Sequence, residues 1–155
     1  NIYIEKNDAI KKIKFIKLLL AHNSLQIAIT FTDQLIREEL VHYYYFPDSK
    51  SFKEELLNKI AKESDFYDLS TDLLFFLNIR NSSKNINSKD YIVNIRNKNN
   101  NLSKDVSLLD KENINIFYIK IRNVVNHGGK IDQNIDVNKI ILKCLDSVEK
   151  FIKEG

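Results

Sequence analysis

Arg122, Asn123 and His127 are the residues of this 155-residue chain whose types and spacing best fit a chemical site. They stand in the run Arg122-Asn123-Val124-Val125-Asn126-His127, directly ahead of Gly128-Gly129. A guanidinium offers a planar fork of donors matched to a phosphate, and an imidazole can give a proton to a leaving oxygen near neutral pH. Three Arg-Asn dipeptides occur, at Arg80-Asn81, Arg96-Asn97 and Arg122-Asn123, and only the last has a histidine within the next two helical turns. With four arginines and three histidines, chance puts a His five residues after an Arg that is itself followed by Asn in roughly 0.01 of such chains.

The elements that must position this run can be read outward from it. Ile114, Phe117, Tyr118, Ile121, Val124 and Val125 recur at helical spacing, so a helix is expected over about 112–126, with its apolar stripe packed inward. His127 then falls at the helix C-terminus, where the macrodipole favours the imidazolium form. Gly128 suits the left-handed position just beyond. Arg122 lies about 7.5 Å earlier along the axis and about 500° around it, so the two side chains do not share one face of a regular helix. They converge on one phosphate only if two copies of the helix meet across a two-fold axis.

The rest of the chain reads as further helices. Asp8 to Ala21 places Ile10, Ile13, Phe15, Ile16, Leu18, Leu19 and Leu20 against a lysine-rich opposite side, and His22-Asn23-Ser24 breaks the pattern. Ser24 is positioned to cap a long helix through Phe46, with Leu25, Ile29, Thr32, Leu35, Ile36 and Leu40 inward, until Pro47-Asp48 stops it. Ser51 stands three before Glu54 in a capping-box arrangement that opens a helix to Lys62. Ser64-Asp65 reads as the cap of another helix, from Phe66 to about Ile79. The stretch 81–104, rich in Asn, Ser and Lys, reads as a long loop with a short helix, and Asp136 to Lys153 closes the domain. The expectation is a single all-α domain, a compact bundle of about five to seven helices with an Asn-rich loop region.

Composition supports this and limits the alternatives. Only three glycines and one proline interrupt the chain, and 43% of its residues are hydrophobic, enough for one continuous core. No apolar run reaches the length of a membrane span and no secretory leader opens the chain, which points to a cytoplasmic protein. The opening Asn1-Ile2-Tyr3-Ile4 looks extended, and starting on Asn suggests a piece of a longer polypeptide. Cys144 sits in the apolar pattern of the last helix and reads as a small core residue. A net charge of +3 decides little about partners. His22 falls in a loop, and His42 adjoins Tyr43-Tyr44-Tyr45, which fits core or interface better than base stacking. Without further ligands at metal spacing, zinc is not supported, and no cofactor is called for.

The run Ile121-Arg122-Asn123-Val124-Val125-Asn126-His127-Gly128-Gly129, set in an all-helical pattern, resembles the HEPN superfamily, whose members carry an Arg, a polar residue often Asn, and a His four to six residues after the Arg. The Asn126-His127-Gly128-Gly129 ending, with an opening that suggests a piece of a longer chain, looks most like the effector domain of CRISPR-associated ribonucleases that join a cyclic-oligoadenylate-sensing CARF domain to a HEPN domain. The resemblance implies a metal-independent endoribonuclease, acting on single-stranded RNA in antiviral defence, with a composite site formed across a homodimer. It also implies an upstream ligand-sensing domain. The implied reaction is attack of a ribose 2′-hydroxyl on its own 3′ phosphate, leaving a 2′,3′-cyclic phosphate and a 5′-hydroxyl. Arg122 would neutralise charge on the non-bridging oxygens, His127 would move a proton, and Asn123 would orient the phosphate or the imidazole. Asn126, Lys120 and Lys130 would contact neighbouring parts of the substrate.

Two other accounts fit the same residues. Arg122 could pair with an acidic residue on another helix while His127 caps its own last carbonyls. The chain would then be a catalytically silent module binding a nucleotide, an RNA or a partner protein. Within the enzyme class, the toxin of a toxin–antitoxin pair is the alternative.

Overall fold

The computed structural model describes residues 2–45, 63–76 and 106–154. All regular structure among the described residues is helical, with no strand, so the class is all-α. No helix among them is long and apolar enough to cross a membrane. The chain packs as two groups of residues, 1–36 with 105–155 and, separately, 37–104.

In the first group, helix α1 runs from Ile2 to Ala21. The opening that looks extended in sequence is therefore helical. Nothing between Ile2 and Ala21 is a Gly or Pro, and once a helix is nucleated each further residue adds a hydrogen bond at little cost. Ala9, Ile13, Ile16 and Leu20 form its buried stripe, a narrower one than the apolar pattern indicates, for Phe15 and Leu18 are 49% and 58% exposed. The helix ends in a Schellman motif. Asn23 takes a left-handed φ of 59°, its N–H donates to Leu20 O, and the Ser24 N–H donates to Leu19 O at 2.9 Å.

Helix α2, Leu25–Tyr45, begins where Ser24 places it, the Ser24 carbonyl accepting the Ala28 N–H at 3.1 Å. Its first half buries Ala28, Ile29, Thr32, Leu35 and Ile36. The buried Thr32 hydroxyl is satisfied by donating to Ala28 O at 2.7 Å. In the second group, the later part of α2 and helix α3, Glu63–Phe76, bury Leu40, Val41, Leu73 and Leu74. Arg37, only 2% exposed, lies over the Tyr67 ring and donates from Nη1 to Ser70 Oγ at 2.9 Å and Thr71 Oγ1 at 2.7 Å. Ser64 and Asp65 are inside α3 rather than ahead of it. The helix expected over 51–62, the end of the one expected to residue 79, and the Asn-rich stretch 81–104 lie outside the described residues.

Chain from Val106 to Leu108 makes a short 3-10 turn. Helix α4, Lys111–Ile116, follows, its N-terminus capped by Asp110, whose Oδ1 accepts the Asn113 N–H at 3.1 Å. The same helical rod continues as a π-helical segment, Phe117–Arg122, and then as α5, Asn123–Asn126. The closing helix α6, Val137–Lys153, is capped by Asp136 Oδ1 on the Lys139 N–H. Its buried face of Ile141, Cys144, Leu145, Val148, Phe151 and Ile152 packs against α1, the 3-10 turn, α4 and the π segment. That burial, at about 1.5–3 kcal/mol per large apolar side chain, makes α6 the support on which the 111–126 rod is laid.

Candidate functional site

The 111–126 rod is anchored by Ile114, Phe117, Tyr118 and Ile121, all fully buried. The Phe117 and Tyr118 rings meet edge to face with centroids 5.2 Å apart, a favoured aromatic geometry. Val124 and Val125 are only half-buried, so the inward stripe expected to run through them thins at the last turn. Between anchor and tip the backbone widens. The Asn123 N–H donates to Tyr118 O, five residues back, instead of to the carbonyl four back. Such a π segment occurs in few helices and is frequent at functional sites. Here it ends on Arg122.

Arg122 is held from two directions. Its Nε lies 3.2 Å from Asp33 Oδ2 of α2, and the two side chains are each 13% exposed. Its Nη1 donates to Asn123 Oδ1 at 3.0 Å. The plane of the guanidinium is therefore set by a carboxylate on one edge and an amide on another, which is the donor-matching an arginine fork favours. Asn123, half-buried, spends its side-chain oxygen on this arginine.

His127 ends the helix in the manner the glycines suggest. Its N–H donates to Asn123 O at 3.1 Å, the Gly128 N–H to Val125 O at 3.0 Å and the Gly129 N–H to Val124 O at 2.8 Å. Gly128 has φ +72°, and a Cβ there would meet nothing within 4 Å. At Gly129 an added Cβ would come within 3.1 Å of Val124 Cγ1 and 3.2 Å of Val124 O, so a larger residue there crowds the preceding turn by a few tenths of an ångström. This Schellman ending satisfies the last carbonyls through backbone donors. Capping by the imidazole is not what closes the helix, and the His127 side chain is exposed.

The structure thus joins Arg122 to Asn123 and places His127 on the next turn at the exposed tip. Five residues separate Arg122 from His127, which sets their side chains about 140° apart around the axis after one full turn. Lys120, Asn126 and Lys130 are exposed around the same end of the rod. Arg80 and Arg96 lie outside the described residues. His22 is in the exposed turn after α1, and His42 lies within α2. Among the described residues no group of three or more His, Cys, Asp or Glu side chains is gathered as a metal site. Cys144 is fully buried, and burial first, then the negative charge of Asp110, pushes its thiol well above the ordinary range. It is a core residue.

Two features of this end were not read from the sequence. One is Asp33, the first of three acidic residues in α2 and the one that meets Arg122. The other is an open cavity of about 450 Å³ lined by Gln26, Ile27, Ile29, Thr30, Phe31, Val125 and Asn126. Ile27 and Phe31 stand four apart and off the buried stripe of α2, a signal that was available in the spacing. Comparisons of the chain with family models, characterised proteins and solved structures return no match.

Proposed function

We propose that this chain is a HEPN-like, metal-independent endoribonuclease that cuts single-stranded RNA at a composite site formed by two copies of the Arg122–His127 turn. The observation that carries the reading is the immobilised guanidinium. Arg122 is fixed by Asp33 at 3.2 Å and Asn123 at 3.0 Å, one helical turn before an exposed imidazole. A cation whose orientation is set before substrate arrives stabilises developing phosphorane charge without reorganising. His127, at a tip where solvent and substrate can reach it, supplies the proton transfer. Because the two side chains diverge around their own helix axis, a two-fold pairing of tips is the arrangement that brings an arginine and a histidine to one phosphate. Lys120, Lys130 and Asn126 would hold flanking nucleotides. A role in CRISPR-linked or other antiviral defence, under an upstream sensing domain, belongs to the same proposal.

The half-enclosed Arg122–Asp33 pair also favours a second reading, in which the arginine braces α2 against the rod and the surface binds a nucleotide, RNA or protein without cutting it. Incubating the purified chain in EDTA with labelled single-stranded RNA and the matched DNA separates the two. The ribonuclease cuts RNA alone and loses activity in both Arg122→Ala and His127→Ala. RNA left intact by a folded, dimeric wild type favours the silent module.

A further inference from the structure

We infer that the cavity between the start of α2 and the tip of the rod is a binding site for an unpaired RNA base, and that it sets which nucleotide is presented to the Arg122–His127 turn. The inference rests on the ribonuclease reading for its purpose, though not for its geometry. Three properties of the cavity lead to it.

First, no side chain that lines it is ionisable, so it suits a neutral ligand and leaves the phosphate to the cationic residues outside. Second, its walls alternate flat or apolar surface with amides. Phe31 is 37% exposed and Ile27 52% exposed. Ile29, 3% exposed, forms a floor fixed in the core, with Val125 on the rod side. Gln26 and Asn126 face the same space from opposite elements, each carrying a donor and an acceptor. A ring to stack on beside amides that read donor–acceptor edges is the arrangement by which proteins recognise splayed-out bases. Third, Asn126 belongs to the cavity and immediately precedes His127 in the chain. A base seated there keeps its ribose and phosphate close to the imidazole.

The Phe31 ring is itself steadied by Phe15 of α1, the centroids 5.8 Å apart. The two exposed rings, which are surplus to the core, thereby acquire a use. The Thr30 hydroxyl already donates to Gln26 O at 3.2 Å, so the donors offered to a base edge come from the amide side chains, and Thr30 can only accept.

The test uses the full chain carrying His127→Ala, so that RNA is bound and not consumed, and fluorescence anisotropy with labelled hexamers of A, C, G and U. A hexamer with every position abasic serves as the backbone-only control. The expected result is that one base is preferred and that the abasic hexamer binds about tenfold more weakly than its parent, the worth of one stacked base. Adding Phe31→Ala should weaken the preferred hexamer by a similar factor and abolish the difference from the abasic one, while Phe31→Trp preserves both. Gln26→Leu should change which base is preferred. Circular dichroism of each variant guards against a folding defect. Equal binding of all hexamers and of the abasic one, or no change with Phe31→Ala, overturns the base site. If wild type still cuts RNA in that case, the ribonuclease reading stands without it. Base-selective binding by a chain that never cuts would sink the enzyme and keep the site.

Discussion

The Asp33–Arg122 pair supports a quantitative prediction. Both side chains are 13% exposed and the contact is 3.2 Å, so the pair lies between a surface ion pair, worth about 0–1 kcal/mol, and a fully buried one, whose breaking costs about 3–5 kcal/mol. Arg122 keeps its bond to Asn123 when Asp33 is lost, which lowers the penalty. Asp33→Asn should therefore cost about 2 kcal/mol, or roughly 4–8 °C in melting temperature for a chain of this size. A double-mutant cycle with Arg122→Ala isolates the pair: the double variant should be more stable than additivity requires by about 1–2 kcal/mol. Activity gives the second readout. If Asp33 orients the guanidinium, Asp33→Asn lowers the rate of RNA cleavage by ten- to a hundredfold with little change in RNA affinity. If the carboxylate merely offsets the positive charge, RNA binds more tightly in the variant. Additive energies in the cycle with an unchanged melting temperature would refute the pairing, and tighter RNA binding with full activity would refute the orienting role.

Two further outcomes follow from local geometry. Gly128→Ala should cost about 1–2 kcal/mol, since φ +72° is left-handed and the site has room for a Cβ; Gly128→Asn should cost less, and urea melts of the two variants against wild type check the order. Cys144 should not react with a thiol reagent in the native state and should react at once in denaturant, because burial and Asp110 both oppose its thiolate. The shift being upward, the stability linked to it is complete below the thiol's ordinary value of 9.0 and is lost as pH rises above that.

Much of the frame was legible in residue order, for reasons specific to each element. Ser24 and Asp136 fall where the next helix begins, while Phe46 and Pro47-Asp48, expected to end α2, lie outside the described residues. Gly128 was legible because few residues other than glycine sit comfortably at positive φ. Asp33 was not, since its partner is 89 residues away in sequence (122 − 33) and only tertiary packing brings the two together. Nor was the π segment, because widening a helix by one residue leaves no compositional mark. Phe15 and Leu18 misled because apolar periodicity records which faces can be buried, not which are. The exposed pair Ile27 and Phe31 follows the same logic. Residue types and spacing singled out the Arg122–His127 run, and the fold adds the acid and the cavity beside it.

The central claim is cleavage by a ribose 2′-hydroxyl, and an RNA with a single 2′-deoxy substitution tests it most directly. Wild-type chain in EDTA should cut the unmodified RNA to fragments ending in 2′,3′-cyclic phosphate, identified by mass, and should leave the bond after the deoxy position intact. Cleavage at the deoxy position, or products bearing 5′-phosphates, would contradict the account.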